Sequence, residues 1–370
     1  YAVIIVGAIL GAITGTVAAS VIAMGVISLP IMLRYGYHPR LATGVIAASG
    51  TITQLIPPSL VLIVLADQLG RSVGDMYKGA FGPSIVQVLI FMLFIFIVSL
   101  FRPKTMPPLP EEARTLRGWA LWNRVLWGMV PSIVLIFLVL GTIFAGVATP
   151  TEAGALGAVG AILLAAMHRR LTWSLTRQAM ESTMRLTAMV VFILIGSRIF
   201  SLVFQGVDGN VWIEHMLAGL PGGQTGFLIA VNVFVFFLAF FLDFFEIAFI
   251  IIPLLAPVAD KLGIDLIWFG VLLCVNMQTS FMHPPFGFAL FYLRGIASKD
   301  VKSSDIYWGA LPWVGLQIIM VIIVIFWPQL VTMFLDKPLD FDPDKVKIEL
   351  EQPDYDKKGG DLQDLFKPQK

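Results

Sequence analysis

Ala48-Ser49-Gly50-Thr51-Ile52-Thr53-Gln54-Leu55-Ile56-Pro57-Pro58-Ser59 and Asn276-Met277-Gln278-Thr279-Ser280-Phe281-Met282-His283-Pro284-Pro285-Phe286-Gly287 each interrupt a long apolar run. Both set hydroxyl and amide side chains ahead of a double proline. Proline donates no backbone N–H and its ring clashes with the preceding helical turn, so two in succession break a helix. At membrane depth a break leaves bare carbonyls, which cost several kcal/mol each unless protein, water or an ion satisfies them. Pro57, Pro58, Pro284, Pro285 and Gly287 are therefore structural breakers. A chain that bears this cost in two matching places is expected to use the freed carbonyls to hold something.

Composition places these runs in a bilayer. The chain has 370 residues, 58% hydrophobic and 13% charged, whereas soluble domains carry about 25% charged residues. An all-α polytopic membrane protein follows. Net charge is +1, unevenly distributed: Asp336–Lys370 holds ten acidic residues and seven lysines, so this tail is −3 and the body about +4. Nothing suggests nucleic-acid binding; the lipid bilayer is the expected surroundings. Cys274 is the single cysteine, which rules out a disulfide framework. The chain opens at Tyr1 in mid-helix, so an N-terminal part is expected to be missing.

Residues 1–13 are apolar but short of the roughly 20 residues a helical span needs. They meet Thr14-Gly15-Thr16 and then a second apolar run to Leu33, which reads as a re-entrant hairpin. The first broken helix follows at about 41–66, then a span at 81–101. A basic loop, 102–124, precedes a helical pair at 125–145 and 150–167. Thr149-Pro150-Thr151-Glu152 between them has the form of a helix N-cap box. An amphipathic surface helix is expected over 171–184 and a span over 186–206. A second hairpin (225–258, with its kink at Asp243–Glu246), a second broken helix (266–297) and a last span (309–334) complete the body. The tail, rich in charge, Pro and Gly, is expected to be disordered.

A shift of 227 residues lays Pro30 on Pro257, Gly36 on Gly263 and Pro57-Pro58 on Pro284-Pro285. With a three-residue slip, Asp75, Tyr77, Gly79 and Ala80 fall on Asp305, Tyr307, Gly309 and Ala310. Agreement of several rare residues marks an internal repeat. Basic residues flank the 125–167 pair at its outer ends and avoid its turn, so 102–124 and 168–185 are cytoplasmic by the positive-inside rule. Counting spans from there, the first hairpin enters from the cytoplasm and the second from outside. Inverted repeats with two broken helices form a transporter pattern, with the site at the midplane. The division is then 1–101 (first repeat), 102–124 (cytoplasmic loop), 125–224 (scaffold and interfacial segments), 225–335 (second repeat) and 336–370 (tail). Both hairpins and both broken helices would move, elevator-fashion, against a scaffold that includes 81–101 and 309–334.

From residue 1 to about 334 the chain resembles the large membrane subunit of the tripartite ATP-independent periplasmic (TRAP) transporters. The stretches that carry the resemblance are AASGTITQLIPPS, FLDFFEIAFIIIPLLAPVADKLGID and NMQTSFMHPPFGFALFYLRG. The resemblance implies a sodium-driven importer in the bacterial inner membrane, a small membrane subunit, and a periplasmic solute-binding protein that delivers a small organic anion. The wording is similar to the branch linked with 2-oxo acids, lactate and related acids, with dicarboxylate-like substrates also in range. At His283 the chain departs from relatives, which often carry Thr.

Ser49, Gly50, Thr51, Thr53, Asn276, Thr279 and Ser280 are the candidate sodium-holding residues, since hard cations take oxygen ligands. The alternative is that their side chains satisfy local backbone around two kinks. Thr14, Gly15, Thr16 and Ser20 either pack the first tip closely or present N–H groups to an anion. Asp243 aligns with Thr16 and reads as a site or gating carboxylate, or as a hairpin cap. Arg198 either meets a substrate carboxylate, pairs with Glu152 or Glu246, or snorkels. Gln278 joins the substrate-facing set. Thr149 and Glu152 are structural. Two other function classes remain: a stand-alone elevator symporter, and an intramembrane enzyme, for which the sequence carries no H-E-x-x-H or G-x-S-x-G motif.

Overall fold

A computed structural model describes residues 1–110, 112 and 116–335; the tail expected to be disordered, and Arg114 of the basic loop, lie outside this range. Among the described residues every regular element is a helix, and there is no strand. Among the described residues six helices are long and apolar enough to cross a membrane: α2 (Val17–Arg34), α5 (Val73–Phe101), α6 (Gly118–Phe144), α7 (Pro150–Met167), α8 (Trp173–Gly206) and α15 (Ser303–Phe326). The protein is a multi-pass membrane protein.

Shorter helices supply the hairpins and breaks. α1 (Ala2–Thr14) ends where Gly15 turns left-handed at φ 60° and donates to the Gly11 carbonyl, and Thr16 is extended ahead of α2. That geometry favours glycine. α3 (Pro39–Thr51) and α4 (Leu60–Gln68) are the halves of the first broken helix. After α9 (Gly209–Ala218) come α10 (Gly223–Leu238), a kink at Asp243, α11 (Phe244–Glu246), a π-helical turn and α12 (Ile252–Lys261). α13 (Leu266–Met277) and α14 (Phe288–Ile296) are the halves of the second broken helix, and α16 (Gln329–Thr332) follows α15.

Several boundaries depart from the sequence expectation. α8 is one 34-residue helix, not a surface helix followed by a separate span. No proline and no glycine before Gly196 interrupts it, so a change from polar to apolar surroundings does not end it. α5 begins near 73, where Ser72 accepts from Asp75 N at 3.3 Å and caps the helix. α15 spans Ser303–Phe326 because Pro328 pushes Trp327 out of helical conformation (φ −126°, ψ 71°). Residues 207–222 contain α9.

The packing interlocks the two halves. α3 crosses α15 where glycines remove the side chains between them: a Cβ on Gly44 would meet Trp313 Nε1 at 2.6 Å, and one on Gly309 would meet Thr43 Oγ1 at 2.9 Å. Arg40 Nε pairs with Asp305 Oδ1 at 3.0 Å along this seam. α13 lies against α5 in the same manner, with Gly79 facing Ile267 and Val271. Each broken helix thus packs on the long helix of the other half. Half of the α15 span is buried, against 6% for α7 and for α8. α5 and α15 therefore lie close against the two broken helices.

Candidate functional site

Each break begins with a tightened turn. α3 passes into a 3-10 turn at Ile52–Gln54, and α13 into one at Gln278–Phe281. The Pro57-Pro58 and Pro284-Pro285 bonds are both cis. Helix resumes at Leu60 behind Ser59, which accepts from Leu62 N, and at Phe288 behind Gly287. A Cβ on Gly287 would meet the Phe281 carbonyl at 2.5 Å and His283 N at 3.0 Å, so the close return of the backbone requires glycine.

The carbonyls freed by the first break are largely satisfied by protein. Ser59 Oγ donates to the Gln54 carbonyl, which also receives Cys274 Sγ at 3.3 Å. Ser84 Oγ of α5 reaches the Leu55 carbonyl at 3.0 Å. The Gln54 carbonyl accepts twice, while the Leu55 carbonyl shares the Ser84 proton with the Ala80 carbonyl at 2.7 Å.

The hydroxyls of the two breaks bond back to their own helices. Ser49 donates to the Ile46 carbonyl at 3.0 Å, Thr51 to Ala48 at 3.0 Å, Thr279 to Asn276 at 2.7 Å and Ser280 to Met277 at 2.7 Å. All four side chains are buried. A hydroxyl has one proton and two lone pairs. With each proton committed to its own helix, only lone pairs face outward. Such a surface suits a cation or a donor and repels an anion. The local backbone bonds and the ligand-holding role are therefore compatible.

Four of the remaining candidates are tied up within the protein. Thr53 donates to Ser20 Oγ at 3.1 Å, and Ser20 bonds Thr14 Oγ1 at 2.8 Å, joining the first tip to the first break. Asn276 Nδ2 donates to the Asn232 carbonyl at 2.8 Å and side chain at 3.1 Å, holding α10 to α13. Thr51 Oγ1 also accepts from Gln317 Nε2 at 3.2 Å. Gly50 admits Val21 of α2, whose backbone N would lie 3.1 Å from an added Cβ. Gly15 brings the tip to the Pro58 carbonyl, 3.6 Å from where its Cβ would stand. Thr16 makes no side-chain cap bond.

At the second tip, Asp243 N donates to Glu246 Oε2 at 3.0 Å, and Asp243 Oδ1 is buried without a partner. Asp243 and Ser280 line one cavity of about 330 Å³, walled by Phe240, Phe286, Phe288 and Phe291. Polar atoms converging in an apolar hollow are the usual form of a small-ligand site. Both amide atoms of fully buried Gln278, and Gln54 Oε1, also lack partners. Arg198 is not brought to this site: it is exposed on α8 and bonds neither Glu152 nor Glu246 nor any other described group. Glu152 instead accepts from Thr149 N and Oγ1, both at 2.8 Å, closing the helix cap. The described residues hold no cluster of three or more His, Cys, Asp or Glu side chains placed for a metal.

Gln87, Gln317 and His283 were not among the sequence candidates. Gln87 and Gln317 are fully buried, on α5 and α15, and stand 230 residues apart, the same offset as Asp75 and Asp305. Extending that alignment by two turns reveals the pair. His283 stacks on Phe240 at 3.9 Å between ring centroids with both ring nitrogens buried and unpartnered; no sequence pattern announces that sandwich.

Comparison with known proteins gives a consistent result. A family model described as "Tripartite ATP-independent periplasmic transporter, DctM component" matches residues 1–330. The chain is 31% identical over 312 residues to the C4-dicarboxylate TRAP transporter large permease protein DctM of Pseudomonas aeruginosa, covering 84% of this chain and 71% of the relative. It is 30% identical over 341 residues to the protein of the same description from Vibrio cholerae, covering 85% and 72%. Against the isethionate TRAP transporter permease protein DctMQ of Oleidesulfovibrio alaskensis it is 28% identical over 317 residues, covering 85% of this chain and 49% of the relative.

Proposed function

The chain belongs to the DctM-component family of tripartite ATP-independent periplasmic transporters, and from that membership we propose that it is a sodium-coupled importer of a small organic anion across the bacterial inner membrane. It is a transporter component, not an enzyme. On this reading a periplasmic solute-binding protein delivers the substrate and a small membrane subunit completes the membrane part. The named relatives carry C4-dicarboxylates and isethionate, all small anions with one or two acid groups. A C4-dicarboxylate or a related 2-oxo or hydroxy acid is the substrate class proposed here.

The observation that carries sodium coupling is the set of proton-committed hydroxyls at the two breaks, Ser49, Thr279 and Ser280. They offer oxygen lone pairs without a formal charge, the donor type hard monovalent and divalent cations take. Gln278 Oε1 and Gln54 Oε1 add unpartnered amide oxygens, and Asp243 supplies a carboxylate at the second tip. The substrate would sit beside these groups, in the hollow between the second tip and the second break. The repeats are read as inverted, and the moving unit as both hairpins and both broken helices, with α5 and α15 carried along by the glycine seams. The scaffold is then α6–α8, whose spans are the least buried.

The test is uptake of labelled C4-dicarboxylate into proteoliposomes containing the chain, its small subunit and the binding protein. Uptake should require an inward sodium gradient and collapse when sodium is equal on both sides. Equal uptake on a potassium gradient would reject sodium coupling.

A further inference from the structure

At the end of the core opposite Asp265 and Asp75, the first turn of α3, the last two turns of α5 and the first turns of α15 enclose a cavity of about 450 Å³. Its rim is basic. Arg40 engages Asp305 through Nε at 3.0 Å, which leaves both terminal guanidinium nitrogens without a bond to a described residue. Arg102, just past α5, is exposed, and its side chain has no partner among the described residues. His38 Nδ1 accepts from Arg40 N at 3.3 Å, so the proton of a neutral ring sits on Nε2 and is free to donate. The floor is apolar: Phe94 packs edge-on to Trp313 at 5.1 Å, and Trp313 is almost wholly buried while Trp308 lies half out of the surface. Asp305 is the one described carboxylate bonded into the rim, so the rim stays net positive.

A basic mouth over an aromatic floor, at the depth where three helices begin or end, matches an amphiphile with an anionic head. We propose that this groove binds an anionic phospholipid of the cytoplasmic leaflet, with its phosphate between Arg40 and Arg102 and the upper part of an acyl chain along Phe94, Trp308 and Trp313. A general excess of cytoplasmic arginine does not account for the floor. Nor is the groove a by-product of the repeat, because the same shifts that align the two halves put Ile267 at Arg40 and Thr332 at Arg102. The position on the cytoplasmic side rests on the basic-loop orientation. The chemistry does not.

The experiment is native mass spectrometry of the full chain purified in detergent and given phosphatidylglycerol or phosphatidylcholine of identical acyl composition. Phosphatidylglycerol adducts should dominate. Each basic side chain near an anionic headgroup contributes about 1 kcal/mol, so each substitution should lower retention about fivefold. The pair is Arg40→Gln with Arg102→Gln; glutamine keeps an amide able to bond Asp305, and a thermal melt checks that the variant is folded. Arg117→Gln with Arg124→Gln, elsewhere in the basic region, should change nothing. Equal retention of both lipids, or an equal loss in the Arg117/Arg124 pair, overturns the proposal. Inorganic phosphate displacing the adduct and stabilising the protein as well as the lipid does would assign the groove to free phosphate instead.

Discussion

Thr51 and Thr279 lie at near-equivalent places in the two breaks, yet their hydroxyls are not equivalent. Both donate to their own helix, but Thr51 also accepts from Gln317, whereas Thr279 has no such second partner. A cation at Thr51 would find one lone pair already taken by an amide N–H, whereas at Thr279 both are open. Thr279→Val should therefore weaken the apparent sodium affinity of uptake by about tenfold, the value of one bond to a charged group. Thr51→Val should move it less. A larger effect from Thr51→Val would mean that Gln317 swings away in the sodium-bound state. Sequence alone marked the hydroxyls as a set, since Ser and Thr ahead of a double proline are easily seen. It could not rank them, because the ranking depends on Gln317, 266 residues from Thr51. Arg198 is a different case. A charge inside an apolar run looks functional wherever it falls, and only the structure shows that this one is exposed on α8 without a described partner.

Elements were legible to the extent that backbone chemistry marks them. The double prolines, Gly15 and the Thr149–Glu152 box are local signals, and the structure has a break, a tip and a cap at those places. The single helix over Trp173–Gly206 was not legible, because hydropathy reports surroundings and not helix continuity. Nor was the partner of α3, since a glycine that permits a close crossing looks like any other glycine. The crossing itself is testable. Gly44→Ala and Gly309→Ala each place a methyl group against backbone or buried side chain of the facing helix, and overpacking of this kind costs typically 1–3 kcal/mol. Each should lower the melting temperature followed by fluorescence-detected size exclusion. Gly196→Ala on α8, where an added Cβ meets nothing within 4 Å, should leave it unchanged or raise it, because alanine favours helix over glycine. Equal behaviour of all three would remove the seam as a source of stability.

For the whole molecule, membrane character followed from composition, and the expected orientation rests on where arginine and lysine are placed. Orientation is open to direct measurement because Cys274 is the single cysteine and is fully buried. In a Cys274→Ala background, cysteine at Val147 or Val207, both well exposed, should react with a membrane-impermeant maleimide on intact cells whose outer membrane has been opened. Cysteine at Lys104 or Leu171 should react only after the inner membrane is permeabilised. Labelling of Val147 and Leu171 from the same side would overturn the count of spans, and with it the opposed entry of the two hairpins.

The crossing of α3 with α15 also bears on how the chain is made. Arg40 and Asp305, which meet across it, are separated by 265 residues. At bacterial synthesis rates of about 5–20 residues per second, α3 leaves the ribosome roughly 13–53 s before its seat exists. For that interval a kinked segment bearing buried hydroxyls and amides stands in the bilayer with no mate. Truncated chains ending before residue 303 should accordingly be cleared by quality-control proteases, and half-length fragments should persist only when both halves are produced together.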